Sequence, residues 1–388
     1  MTGTRIARRL ETIQPFYVME ILARARALEA QGRSIVHMEI GEPDFPTPQP
    51  VIDAGIRALQ AGHTHYTPAL GLAELRQAVA ASYPAAHRPS AGRVAITPGA
   101  SGGLQLLFAA LIDPGDEILL ADPGYPCNRH FARLFGGRPV PVAVGPETGF
   151  QLSADLIREY WTDNTVAVLV ASPSNPTGTL VADQEMAAIV DTVEALGGTL
   201  IVDEIYHGLT YGSATSSALA HSQNAIVVNS FSKFYSMTGW RLGWLVVPED
   251  LVDAVERLAQ NLFIAAATPA QYAAVAAFSD EVLVELEHRR DVFQQRRDYL
   301  LPELEKLGFV IPVKPEGAFY LYADVSAFTG DSYQFSLDLL EQTGVAITPG
   351  KDFGDNQPKR YARFSYASEL ENLKEAVRRL QRHLKNRV

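Results

Sequence analysis

Val166-Ala-Val-Leu-Val-Ala171, an amphipathic stretch over Asp183–Leu196, and then Thr199-Leu-Ile-Val-Asp203 read in order as strand, helix and strand. The two apolar runs are rich in Val, Ile and Leu and end in small or polar residues, the pattern of a strand buried on both faces. Working outward, Val94–Thr97, Glu117–Ala121 and Ala225–Ser230 have the same character, and Gly102–Leu111 reads as another covering helix. Strands alternating with helices predict an α/β fold with a mainly parallel central sheet between helices. Ligands of such sheets gather at the carboxyl ends of the strands, so the residues just past each apolar run are where a site is expected. After Glu285 the pattern changes. A charged helix over Val282–Leu304 leads to shorter strand-like segments, Phe319–Ala323 and Tyr361–Tyr366, and then to a basic final helix. We read a large domain over residues 46–284 and a smaller α+β domain built from residues 1–45 and 285–388.

Composition narrows the function. The chain has 388 residues, more than the roughly 250–300 that a single core holds. Apolar residues make up 47% and charged residues 20%, enough for a sizeable core without covalent staples. The one cysteine, Cys127, rules out an intrachain disulfide and makes a reducing cytoplasm the expected setting. A net charge of -11 argues against nucleic acid or an anionic membrane as partner, since both need a basic footprint. Arg5, Arg8 and Arg9 precede no apolar run of the kind found in signal peptides. No stretch approaches the roughly 20 apolar residues of a membrane span. His63, His65 and His207 lack a set of partner ligands, so no metal site is expected.

The segment richest in chemistry is Asn229-Ser-Phe-Ser-Lys-Phe-Tyr-Ser-Met-Thr-Gly-Trp-Arg-Leu-Gly-Trp244. Lys233 sits just past an apolar strand, among aromatic and small residues, with no carboxylate within several positions. A desolvated lysine loses part of its preference for the charged form, which makes the neutral amine available to attack an aldehyde. Ser230, Ser232 and Arg241 flank it, and two hydroxyls with a guanidinium suit a phosphate dianion. Thr97-Pro-Gly-Ala-Ser-Gly-Gly103 links a strand to a helix, and its glycines let backbone amides turn toward an anion at the helix N-terminus. Their spacing is wrong for dinucleotide binding. Asp203 and Glu204 stand together at the end of one strand, and by themselves neither is distinguished from the other or from a helix cap. Asn175-Pro-Thr-Gly178 reads as a turn whose Asn175–Pro176 bond is a candidate for the cis form. Arg363, in Tyr361-Ala-Arg-Phe-Ser-Tyr366, lies among apolar residues and needs a counter-anion; a substrate carboxylate or a structural ion pair would each serve.

The Lys233 segment, with Ser three positions before the lysine and Arg eight after it, resembles the cofactor-lysine signature of the class I/II aminotransferases among the fold-type I pyridoxal-phosphate enzymes. Further motifs similar to that family's run in order from Pro15 to Tyr366. The resemblance implies a cofactor, pyridoxal 5'-phosphate, held as a Schiff base on Lys233. It implies that Asp203 faces the cofactor's ring nitrogen, that Tyr206 and Asn175 bind its phenolic oxygen, and that Tyr125, in Asp122-Pro-Gly-Tyr-Pro126, stacks on the ring. The amides of Ala100 and Ser101, with Ser230, Ser232 and Arg241, would then hold the phosphate. Arg363, Asn175 and the loop Gly41-Glu-Pro-Asp-Phe45 would meet the substrate carboxylate. Tyr66, in His65-Tyr-Thr-Pro-Ala-Leu-Gly71, resembles a tyrosine that reaches the neighbouring subunit of a homodimer.

The implied reaction is ping-pong transfer of an amino group from an L-amino acid to a 2-oxo acid, with Lys233 as general base and then acid. Aspartate-specific relatives usually carry Lys where this chain has Ser101, and Trp where it has Tyr125. Those departures point to a neutral or aromatic, alanine-like donor, with Pro15–Tyr17 near its side chain and 2-oxoglutarate or pyruvate as acceptor by analogy. The same apparatus serves carbon–sulfur β-lyases. A non-catalytic regulator binding the same cofactor is the alternative of another class, but the chain has neither spare length nor basic charge for an appended DNA-binding module.

Overall fold

A computed structural model describes residues 4–212 and 215–385. The strands in chain order are β1 (Val36–His37), β2 (Val94–Thr97), β3 (Glu117–Asp122), β4 (Arg138–Ala143), β5 (Thr165–Ala171), β6 (Thr199–Asp203), β7 (Ile226–Ser230), β8 (Gly243–Val246), β9 (Tyr320–Asp324), β10 (Val345–Ala346), β11 (Thr348–Pro349) and β12 (Tyr361–Ser365). Seven of them form one sheet in the order β2-β8-β7-β6-β5-β3-β4. Its pairs are parallel from β7 through to β4, and β8 runs antiparallel between β2 and β7.

The apolar runs work as two-faced strands. Val168, Val170, Leu200, Val202 and Val227 pack into one core, while Ala167, Leu169, Ile201, Ile226 and Val228 pack into another on the opposite face. Alternate residues of each strand point to opposite sides, and helices bury both, which is why these runs are apolar throughout. All five strands read from the sequence are present. The two others of this sheet carry weaker signals. β4 is an edge strand holding Pro139 and Pro141, which a ladder tolerates only at its edge. β8 is a four-residue strand directly behind the Lys233 segment.

A second sheet, in the order β11-β12-β9, is antiparallel and places Arg363 opposite Tyr322 and Thr348. The N-terminal helix α1 (Tyr17–Glu29) packs its Ile21, Ala25 and Leu28 stripe against Leu340 and Ala346. β1 pairs in parallel with β10, so the N-terminal residues are built into the C-terminal part of the chain.

His37 fastens that joint. Its Nδ1 lies 2.7 Å from Glu39 Oε1 and its Nε2 lies 3.1 Å from Glu29 Oε1, at the end of α1. The hydrogen bond to Glu39 is the main cause that raises the His37 pKa from 6.5 to about 9, against the opposing effect of burial. Because the folded value is the higher one, the charged imidazole stabilises the fold fully below pH 6.5, and this contribution disappears as pH rises through about 9. His37→Gln should therefore lower the thermal midpoint at pH 6, and the gap to the wild-type chain should close by pH 9.5; a gap independent of pH would refute the assignment.

Candidate active site

The carboxyl ends of β5, β6 and β7 meet the N-terminus of the helix Gly99–Leu111 at a cavity of about 460 Å³. α1 and the turn after β11 complete its walls. Gly41, Ala100, Ser101, Tyr125, Asn175, Asp203, Tyr206, Ser230, Ser232, Lys233, Arg241 and Arg363 all line it. Of the residues that the family resemblance assigned to the cofactor, Tyr66 lies elsewhere, with 81% of its surface exposed.

Lys233 follows β7 and projects inward between the rings of Tyr206 and Phe319, each 5.9 Å from Nζ. Its Nζ donates to the Gly41 carbonyl at 2.6 Å. Burial, reinforced by the nearby Arg363 and Arg241 charges, lowers the lysine pKa to about 8. The loop that supplies Gly41 is itself held rigidly. Asp44 accepts two hydrogen bonds from Arg296, at 2.7 and 2.9 Å, and Phe45 lies against the guanidinium groups of Arg289 and Arg296.

The two adjacent carboxylates part company. Asp203 lines the cavity and accepts the Ile205 N–H at 3.1 Å, and burial lifts its pKa to about 6. Glu204 turns away. Its Oε1 accepts from Ser217 Oγ at 2.9 Å and the Ala218 N–H at 2.8 Å, and it borders a separate space with His207. Only Asp203 can meet a molecule bound beside Lys233.

An anion cradle forms where β8 passes the helix Gly99–Leu111. Ser230 Oγ lies 3.0 Å from Ser232 Oγ, and Arg241 donates to the Thr238 carbonyl at 2.8 Å. A methyl group on Gly99 would sit 2.5 Å from the Arg241 guanidinium, and one on Gly243 would sit 2.8 Å from the Ala100 nitrogen. Gly99 also has a φ of 72°, in the left-handed region. These two glycines allow Arg241 and the amide-bearing start of the helix to converge on one point.

Arg363, 4% exposed, donates to Asn175 Oδ1 at 2.8 Å, to the Glu39 carbonyl at 2.5 Å and to Thr348 Oγ1 at 3.3 Å. Its Nε has no partner, and it pairs with no carboxylate among the described residues. Tyr320 covers the guanidinium at 4.3 Å and Phe353 at 5.0 Å. A buried guanidinium that forms no ion pair with its own chain could receive a carboxylate from a ligand. Asn175–Pro176 is cis, as are Ser172–Pro173 and Asp122–Pro123.

Several residues at the cavity were not singled out in the sequence. Tyr320 shares a hydrogen bond with Tyr206, O–H to O–H at 2.9 Å, and touches Gly41. Phe16, Val18, Met19 and Leu22 reach the cavity from α1 and its entry, and Asp352 and Phe353 from the turn after β11. Pro15–Tyr17 was the only hint of this wall.

The sequence profile of the family described as aminotransferase class I and II matches residues 33–380. The valine–pyruvate aminotransferase of Mycobacterium tuberculosis is 43% identical over 375 residues, covering 95% of this chain and 96% of the relative. The aspartate aminotransferase of Bacillus subtilis is 34% identical over 392 residues, covering 97% and 98%. The chain belongs to the class I and II aminotransferase family. A crystal structure of an aminotransferase from Mycobacterium tuberculosis superposes with a TM-score of 0.95 at 41% identity, covering 99% of this chain and 100% of that one. Thermus thermophilus aspartate aminotransferase with maleate gives 0.93 at 33% identity, covering 98% and 100%. Aminotransferases of this family depend on pyridoxal phosphate, and the donor set here fits that group. An amine of lowered pKa suits its aldehyde, the Arg241 cradle suits its phosphate, and a buried carboxylate suits its ring nitrogen.

An amine captures an aldehyde only in its neutral form, and the neutral fraction of Lys233 grows as pH rises through about 8. Stopped-flow mixing of cofactor-free aminotransferase with pyridoxal phosphate should show an attachment rate that climbs from pH 6.5 and levels off above pH 9. A rate that is flat across this range would contradict the lowered lysine value.

Proposed function

We propose that this aminotransferase takes the amino group from a neutral, apolar L-amino acid and passes it to a 2-oxo acid. The observation that carries the reading is the charge inventory of the cavity. Its cations are Lys233, Arg241 and Arg363, and the wall facing them from α1 is Phe16, Val18, Met19 and Leu22, with Leu104 and Tyr125 nearby. Arg241 is committed to the phosphate and Arg363 to the α-carboxylate, so a second substrate carboxylate finds no cation left among the described residues that line the cavity. It would instead meet Glu42 and Asp352. Ser101 adds no charge. The Mycobacterium tuberculosis relative is named for valine and pyruvate, and a donor of that size and polarity suits these walls.

Bound pyridoxal phosphate supplies the electron sink that makes the substrate's α-proton removable. In the proposed mechanism, Asp203 holds a proton at the ring nitrogen by presenting a buried carboxylate to it. Tyr206, oriented by Tyr320, and Asn175 would donate to the phenolic oxygen, and Tyr125 would pack against the ring. Ser230, Ser232, Arg241 and the amides of Ala100 and Ser101 grip the phosphate. Arg363 and Asn175 orient the substrate through its α-carboxylate, and the fixed Gly41 loop covers it. Lys233 Nζ takes the α-proton and later returns it, and its lowered pKa keeps the base form available near neutral pH. Donor and acceptor share one carboxylate clamp and use it in turn, which is ping-pong chemistry.

We further assign residues 46–284 to a large domain, and residues 1–45 with 285–388 to a small one. The division of strands between the two larger sheets and the pairing of β1 with β10 support it. A homodimer accords with the exposure of Tyr66, which would reach the partner's phosphate, and of the apolar residues Ile56, Leu59, Leu262 and Ile264. A cytoplasmic setting accords with the single free cysteine.

Mixed with valine and no acceptor, the cofactor-loaded enzyme should release one equivalent of 2-oxo acid per site and no ammonia. With an S-alkylcysteine, whose β-sulfur can leave, continued release of ammonia would make it a lyase. Valine should exceed aspartate in kcat/KM by about ten- to a hundredfold, the cost of burying one unpaired carboxylate. Lys233→Ala should lose turnover by about 10⁴-fold, and borohydride should no longer fix the cofactor to the chain.

A further inference from the structure

α1 begins without a cap of its own. Phe16 precedes it in extended conformation, and no side chain of the helix accepts its first amide hydrogens. The acceptor comes from the other end of the chain. Asp352 takes the Tyr17 N–H at 2.7 Å, and the Val18 N–H points to the same carboxylate. Asp352 is 2% exposed and pairs with no cation among the described residues. Burial raises its pKa, and the Arg363 charge, then the two amides at the start of α1, offset that cost. The same turn reaches α1 a second time, because Lys351 Nζ lies 4.8 Å from the Tyr17 ring and 5.3 Å from that of Tyr333.

This contact joins the two halves of the substrate cavity. Asp352 ends the short turn Gly350–Asp352 that follows β11, and Thr348 of β11 is paired with Arg363. The next residue, Phe353, lies against the Arg363 guanidinium. The chain around Asp352 is therefore registered on the carboxylate clamp. On α1, Ile21, Ala25 and Leu28 face the protein interior, while Val18, Met19 and Leu22 face the cavity. Whatever fixes the first turn of α1 fixes how far those three side chains stand from Arg363.

We propose that Asp352 is a positioning residue for substrate choice: by capping α1 from across the cavity, it sets the distance between Arg363 and the apolar wall, and so the size of side chain the enzyme accepts. The proposal rests on the reading of Arg363 as the α-carboxylate clamp and of α1 as the side-chain wall. Asp352 touches no reacting atom in this scheme and acts through α1.

The test compares a branched and a minimal ligand on the cofactor-loaded enzyme. In Asp352→Ala, kcat/KM for valine should fall about five- to tenfold, the worth of one helix cap, mainly through KM, while that for alanine stays within about twofold. Equilibrium binding gives the same comparison without turnover: the dissociation constant of isovalerate should rise and that of acetate should not. Asp352→Asn, whose amide oxygen still accepts from Tyr17, should restore most of the loss. Val18→Ala trims the wall itself and should reproduce the selective loss of valine. If Asp352→Ala does not fold, Tyr17→Pro carries the same expectations, since it deletes the donor at a helix position that accommodates proline. Equal weakening of isovalerate and acetate, or no recovery in Asp352→Asn, would overturn the proposal alone. A wild-type enzyme preferring aspartate to valine would overturn the reading of the cavity and the proposal with it.

Discussion

Arg363 is the point on which the site depends. Its guanidinium is buried on β12 of the smaller sheet, yet it donates to Asn175, which follows β5 of the larger one, and to the carbonyl of Glu39, which follows β1. Three segments distant in sequence are thereby held around a single cation. Desolvating a guanidinium costs far more than neutral hydrogen bonds return, and no carboxylate among the described residues forms an ion pair with Arg363 to offset that cost. The same charge reaches Lys233, where it adds to burial in favouring the neutral amine. One buried cation thus both joins distant segments around the cavity and favours the neutral form of Lys233.

The parallel sheet supplies what Arg363 acts upon. Because β5, β6 and β7 run the same way, their carboxyl ends bring Asn175, Asp203 and Lys233 to one edge, although they come from three separate crossovers. Close backbone approach does the rest. Gly99 and Gly243 lack the side chains that would separate Arg241 from the helix start, so positive charge and free amides meet in one cradle. Opposite this polar floor stands α1, whose two stripes divide its labour between packing and cavity wall.

Much of this was legible before any coordinates. The five apolar strands were readable because burial on both faces makes a run uniformly apolar, a local property. β4 and β8 were not, since one is a proline-bearing edge and the other, Gly243-Trp-Leu-Val246, opens on glycine at the end of the Lys233 segment and so lacks a distinct apolar run. Lys233, Ser230, Ser232 and Arg241 could be singled out because they lie within a dozen residues of one another, so their spacing is itself a signal. Tyr320 and Asp352 could not. A tyrosine in a short strand and an aspartate in a turn are ordinary, and nothing nearby in sequence marks their partners.

The choice between Asp203 and Glu204 shows where the division lies. Sequence by itself determined the parallel sheet, the edge on which a site would form and the cluster around Lys233, because hydrophobic period and close spacing are written along the chain. It placed two carboxylates at the end of β6 without distinguishing them by residue type. Only the tertiary structure decided that Asp203 faces the cavity while Glu204 turns to Ser217 and Ala218, and that Asp352 reaches back to the start of α1. Side-chain direction and contacts across more than three hundred residues depend on how distant segments pack, and no local pattern encodes that.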